Sequence, residues 1–377
     1  MPMPRSESLG HSITPEAAPQ AGPPVVARSS RPVSAPRFSA ARFGSAYFLL
    51  MVLVALFVLF CFLRPHTFPT AFNLQTMGTG KSIVALLALA VMVPIAANEF
   101  DLSVGFAVGL FHILAVGFQV FFGLPWFVAV LLVVALGAVL GLINGLLVAV
   151  AKISSFIATL GTGTVIYGLS QMFTGGQEIV SSDPLPDAFL GLTSVIFGVP
   201  WPVIFVLVLS TLMWIAAEFL PVGRYLYVTG SNRRAADLTG VPTGRYIVGS
   251  FVVSGMLTAC AGVLLASQLR IGQSGTGPEF LLPAFAGALL GATAVRPGRV
   301  NVWGTITAVA VLAVGVSGLQ QLGAKFYVDP IFSGLTLILS VGLAGWVGRR
   351  TTTRASAASA LVEKSRGGRA DHPPATK

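Results

Sequence analysis

Two carboxylates, Glu99 and Asp101, stand in the short stretch Ala97-Asn98-Glu99-Phe100-Asp101 between two long apolar runs. A carboxylate at membrane depth is costly and marks function. One in a tight surface turn costs little, and Asp101 there would cap the helix that follows. The residues alone leave both readings open. With Glu218, these two are the acids an ion-coupled carrier would need inside the membrane. Gly78-Thr-Gly80-Lys81-Ser82 resembles the end of a phosphate-binding loop. The loop's first glycine would fall at Gln75 and no strand precedes the run, so a turn before the second span is the expectation.

Other candidates are uncharged. Gly137, Gly141 and Gly145 recur every four residues, which lays them on one helix face for close helix packing. Asn144 beside them is placed to hydrogen-bond across helices or to touch a ligand. Thr159, Thr162 and Thr164 offer hydroxyls in a Gly-rich span, either for a pathway or for their own helix backbone. His112 lies inside an apolar run, where a packed or hydrogen-bonded imidazole is expected. Cys61 and Cys260 also lie in apolar runs and give no disulfide framework. No catalytic triad, paired acid–base set or metal-ligand spacing is present, so a membrane enzyme has no residues to rest on. Catalytic and metal-binding residues are expected to be none.

The remaining polar stretch is Gly223 to Arg245. Four arginines, Arg224, Arg233, Arg234 and Arg245, face one acid, Asp237. Ser231 or Asn232 reads as an N-cap and Gly240 as a stop, which predicts a short helix over Ser231–Leu238. It is either a docking element or a basic loop that only fixes topology.

These residues need a scaffold, and composition defines it. The 377 residues are 54% hydrophobic and 10% charged, against roughly 25% charged in soluble domains; mean hydropathy is +0.84. Apolar runs of about 20 residues predict membrane helices, not barrel strands. The fold class expected is an all-α polytopic membrane protein with ten spans: Ser45–Leu63, Ser82–Ala97, a third ending at Phe122, Trp126–Ala151, Phe156–Phe173, Trp201–Leu220, Tyr246–Gln268, Phe280–Val295, Val302–Leu322 and Pro330–Val347. Residues 1–43 and 349–377 read as disordered tails around a transmembrane domain, 44–348. Of 23 Lys and Arg residues, Arg64, Lys81, Arg270 and Lys325 fall outside in this topology, leaving 19 in the cytoplasm with both termini. The net charge of +10 is thus a topology signal, and no nucleic-acid partner is expected.

Asn98–Gly105, opening span three, resembles Pro278–Phe285, opening span eight. Gly137–Gly145 in span four resembles Ala310–Gly318 in span nine. Either spans one to five recur, inverted, as six to ten, or Gly/Ala-rich spans are alike by chance.

Four segments together resemble the permease subunits of bacterial ABC importers for monosaccharides, the ribose-permease type within the branched-chain amino acid and sugar permease group. They are Asp101-Leu-Ser103-Val-Gly105, Gly141-Leu-Ile-Asn144-Gly145-Leu-Leu-Val, Phe156-Ile-Ala-Thr159-Leu-Gly161-Thr162 with Thr174-Gly175-Gly176, and Gly223-Arg224-Tyr through Gly230-Ser-Asn232-Arg-Arg-Ala235-Ala236-Asp-Leu-Thr-Gly240-Val. They lie in order across about residues 45–348.

The resemblance implies an inner-membrane permease working as two copies, with two cytoplasmic ATPase subunits and an extracytoplasmic solute-binding protein. ATP and Mg would be used by the partner, with no cofactor in this chain. It implies a coupling helix within 223–245, with Arg224, Gly230, Asn232, Ala235, Ala236 and Gly240 in the ATPase-docking loop, and a pathway near Asp101, Ser103, Gly105, Asn144, Thr159 and Thr162. Two stretches depart from the family pattern. Ala97-Asn98-Glu99 stands where Gly-Gly is usual, and Gly291-Ala-Thr293 with Arg296-Pro-Gly298-Arg299 replaces a glycine-rich run. Asn98 and Glu99 are therefore candidates for the region that selects the substrate.

Overall fold

A computed structural model describes residues 40–340 and Gly342. The two expected tails lie outside the described residues, except that Ala40–Phe43 form the first turn of α1 (Ala40–Leu63). Then follow α2 (Ala71–Ala96), α3 (Ser103–Val120), α4 (Trp126–Ala149) and α5 (Ser155–Thr174). A short turn α6 (Asp187–Leu190) and a two-stranded ribbon, Val195–Ile196 with Val199–Pro200, lead to α7 (Trp201–Glu218). The second half holds α8 (Pro221–Ser231), α9 (Arg233–Leu238), α10 (Thr243–Leu269), α11 (Leu281–Gly291), α12 (Val302–Gln321) and α13 (Val328–Ser340).

Among the described residues, α2, α3, α4, α7, α10 and α12 are long and apolar enough to cross a membrane, and α1, α11 and α13 contain shorter apolar stretches. With α5, these match the ten expected spans one for one. The fold is an all-α polytopic membrane protein. The Gly78–Ser82 run is helix, not the expected turn, because α2 starts at Ala71, capped by Thr70, and runs through it. Lys81 leaves the side of this helix to pair with Asp329.

The centre is α2, which is apolar all round and buried at every residue from Ser82 to Pro94. It packs against α10, and each has its own pair of neighbours: α3 and α4 on α10, α11 and α12 on α2. This correspondence is the one a five-helix repeat requires. The two segments that look alike in sequence also meet. A β-carbon at Gly105 would lie 2.8 Å from that of Leu281, and one at Gly109 would lie 2.1 Å from the Thr276 carbonyl.

That meeting shows two breaks inside the bundle. Ser254, opposite the first break, is the twelfth residue of α10, about 16 Å from its start at 1.5 Å per residue. The second break, Arg270–Phe280, is not the outer loop the apolar pattern suggests. It folds back along α3 from His112 to Gly105, so α11 starts deep and has only 11 residues. Irregular backbone at membrane depth survives only where protein groups satisfy it. Here His112 Nδ1–H donates to Gly109 O (2.8 Å), and its Nε2 accepts from Gln273 N–H (2.9 Å). The Glu279 carboxylate accepts from Gly277 N–H at 2.8 Å.

The α4–α10 seam is built on absence of side chains. The buried positions of α4 include Ala129, Val133, Gly137, Gly141 and Gly145, every fourth residue. At Gly137 a β-carbon would come within 2.5 Å of Gly255 O, and at Gly255 within 2.1 Å of Gly137 O. The two backbones therefore touch directly, the contact that holds membrane helices where lipid removes the hydrophobic drive.

Candidate functional site

The first break, between α2 and α3, gathers the polar candidates. Asn98 turns it with φ 62°, a left-handed geometry Asn tolerates better than most residues. Each following residue is then tied to a different part of the protein. The Glu99 carboxylate faces the Arg233 guanidinium of α9 at 3.8 Å. Phe100 N–H donates to Ser155 Oγ (3.1 Å) and Leu102 N–H to Thr159 Oγ1 (3.0 Å), both on α5. Asp101 accepts from Ser254 Oγ of α10 at 2.8 Å, and from Ser103 N–H and Oγ at 3.1 and 2.6 Å. Asn144 of α4 donates to Ser103 Oγ (2.9 Å) and accepts from Thr162 Oγ1 (2.8 Å).

So Asp101, Ser103, Asn144, Thr159 and Thr162 form one connected network, with Gly105 a turn away against Leu281. Asp101 is 2% exposed, and Asn144 and Thr159 are fully buried. The two carboxylates divide: Asp101 is a buried acceptor that also closes the start of α3, while Glu99 looks toward the end of the bundle. Thr164 bonds only its own helix, to Leu160 O. Glu218, the third candidate acid, pairs with Arg296 at 2.5 Å. Ser254 and Ser155 are partners that sequence reasoning missed: Ser155 stands beside Ser154 in what reads as a turn, and the signal that could have found Ser254 is the four-residue spacing of Ser250, Ser254 and Thr258 along α10.

Removing the acceptor tests this network. Asp101→Ala leaves three donors unmatched, at about 1–3 kcal/mol per buried group. Asp101→Asn keeps one acceptor oxygen. Thermal unfolding of the detergent-purified protein should rank wild type above Asn and Asn above Ala; equal stability of Asn and Ala would show that the network holds nothing.

The α8–α9 unit lies at the same end as Glu99. Asn232 caps α9, its Oδ1 accepting from Ala235 N–H at 3.0 Å, and Gly240 ends the unit with φ 84°. Thr243 Oγ1 donates to the Asp237 carboxylate at 2.6 Å, tying α9 to the start of α10. Gly230 lies where a β-carbon would come within 2.2 Å of Ala96 O, so α8 rests on the end of α2. Tyr227 of α8 donates to Val300 O at 3.0 Å under the Arg299 guanidinium, 3.3 Å from its ring centre. Burial pushes the Tyr227 phenol up, against the opposing charge of Arg299, so the hydroxyl stays a donor.

Of the candidate docking residues, Arg224, Asn232, Ala235 and Gly240 are exposed and Gly230 is half-buried. Ala236 is 1% exposed, so its side chain seats α9. The large exposed apolar group of α9 is Leu238, at 84%; on α8, Val222, Tyr225 and Val228 are exposed as well.

A basic helix–cap–helix unit thus stands on the end of a polytopic bundle, beside a break held by buried polar groups. The chain belongs to the family described as branched-chain amino acid transport system / permease component, which matches residues 74–341. Its relatives include the ribose import permease protein of Haemophilus influenzae, 28% identical over 80% of this chain and 93% of the relative. The galactose/methyl galactoside import permease protein of Escherichia coli K12 is 29% identical over 80% and 93%. The autoinducer 2 import system permease protein of Escherichia coli SMS-3-5 is 30% identical over 80% and 92%. No solved structure matches the chain.

Proposed function

We propose that this chain is the membrane-spanning permease subunit of an inner-membrane ABC importer, and that it carries a monosaccharide or related small polar solute into the cell. It works as a homodimer with two ATPase subunits, which bind ATP and Mg²⁺, and with an extracytoplasmic solute-binding protein. The chain itself holds no cofactor.

The observation that carries this reading is α9, a capped six-residue helix with Leu238 open to solvent. A positive-inside topology puts it in the cytoplasm, with both termini. An exposed leucine on a short, capped, polar helix suits contact with a partner. The relatives are import permeases for ribose, for galactose and methyl galactoside, and for autoinducer 2, which supports the solute class. The Asp101 network is read as part of the wall of the pathway. Asp101 accepts from three donors, which suits a fixed acceptor and not a group that must bind and release an ion each cycle.

The solute class is tested by uptake into vesicles holding the chain, its ATPase and its binding protein. Radiolabelled D-ribose, D-galactose, L-arabinose and L-leucine are offered in parallel. Uptake of one or more of the sugars is expected; uptake of leucine alone would overturn the sugar reading.

A further inference from the structure

A cavity of about 750 Å³ opens beside the first break. Glu99 and Phe100 line it from the break, Lys152 and Ser155 from the α4–α5 turn, and Arg233 and Asp237 from α9. Of the two basic groups, Arg233 reaches across to the break. Its guanidinium is half-exposed on α9, whereas Glu99 is 16% exposed at the cavity wall. No other charged pair joins α9 to the break among the described residues.

We infer that the Arg233–Glu99 pair passes movement of α9 to the α2–α3 break, and that this pair couples ATP use to solute movement. The inference rests on the reading of α9 as the docking helix. The physical argument is one of connectivity and room. Four residues on from Glu99, backbone and side chains of the break have been tied in turn to α5, α10, α5 and α4. A pull on Glu99 is therefore a pull on the junction of three spans. Residues 97–102 are not helical, so the break has free dihedrals to absorb the pull, as hinges at element ends do. The cavity gives α9 space to close on the α4–α5 turn without displacing packed side chains. The α8–α9 unit is also held by Gly230 on Ala96, by Tyr227 under Arg299 and by the Thr243 hydroxyl on Asp237, the fixed points about which it would turn.

As a partly exposed ion pair held at 3.8 Å, Arg233–Glu99 contributes little to stability. Its removal should leave the fold unchanged and show only in coupling, so both residues are positioning residues. The test compares wild type, Glu99→Gln, Arg233→Gln and the exchange Glu99→Arg with Arg233→Glu. Each is assembled with the ATPase and binding protein in vesicles. The readouts are ATPase co-purification, ATP hydrolysis, and uptake of radiolabelled D-ribose or D-galactose, whichever the unaltered chain carries.

Glu99→Gln, whose side chain lies off α9, should bind the ATPase and hydrolyse ATP as wild type does. Solute moved per ATP should fall by about tenfold, within the span of known coupling energies, and the exchange should restore it. Singles that transport like wild type, a loss that the exchange does not repair, or a loss in Glu99→Gln that follows from ATPase release would each overturn the link. An unaltered chain that shows no ATP-driven uptake would instead overturn the reading of the protein as an ABC permease, and the link with it.

Discussion

Leu238→Glu is expected to abolish ATP-driven uptake while leaving the permease folded, inserted and purifiable. Leu238 is 84% exposed on α9, so its replacement changes the isolated chain by no more than about 0.5 kcal/mol, as exposed positions do. In a complex it would be the apolar anchor of a short docking helix. Losing such an anchor costs about 2 kcal/mol or more, which is about 30-fold in affinity, and the new carboxylate adds a desolvation cost. Co-purification of the ATPase should therefore be lost. Phe197→Glu is the control: Phe197 is fully exposed on the ribbon at the other end, and its replacement should leave ATPase binding intact. Equal ATPase binding by wild type and Leu238→Glu would remove α9 as the docking element.

Gly141→Ala should destabilise the protein although alanine is the better helix former by about 1 kcal/mol. The added β-carbon would lie 2.2 Å from the Phe251 carbonyl oxygen and 2.7 Å from the α-carbon of Val252. Both are backbone atoms of α10, so no side chain can turn aside. Relief requires α4 and α10 to move apart along their whole seam, which also loosens Asn144 on Ser103. Overpacking costs about 1–3 kcal/mol, occasionally more, and here it falls on the seam where α4 and α10 touch through backbone. Gly161→Ala in α5, with nothing within 4 Å of its β-carbon, should keep or raise stability. Thermal unfolding in detergent separates the pair: a fall in Tm for Gly141→Ala and none for Gly161→Ala. Equal Tm values would mean that the helices do not meet through backbone at Gly141.

These particulars show what the chain reveals before it folds. Apolar run length is a property of sequence, so the spans and the fold class were legible. So were the Asn232 cap, the Gly240 stop and the glycine stripe, since each depends on local spacing. The start of α2 was not, because Gly78-Thr-Gly80-Lys81-Ser82 has turn-like composition and becomes helical only through its packing and the Lys81–Asp329 pair. The fold-back of Arg270–Phe280 was also hidden: Gly275, Gly277 and Pro278 read as an outer loop, and what draws them inward is His112, more than 160 residues earlier in the chain. The Asp101 network was half legible. Asp101, Ser103, Asn144, Thr159 and Thr162 stood out as polar groups in apolar surroundings, but only the fold brings Ser254 to them. Leu238 carried no expectation; the fold buries Ala236 and exposes Leu238, because two residues apart on a helix they face nearly opposite ways.

The central claim is that this permease moves solute only through a partner's ATP hydrolysis. It is tested by measuring uptake of radiolabelled D-ribose and D-galactose into vesicles made with and without the ATPase, with either ATP inside or an imposed H⁺ or Na⁺ gradient. Uptake is expected only with the ATPase, internal ATP and the external binding protein together. Uptake driven by an ion gradient in vesicles that hold this chain alone would contradict it.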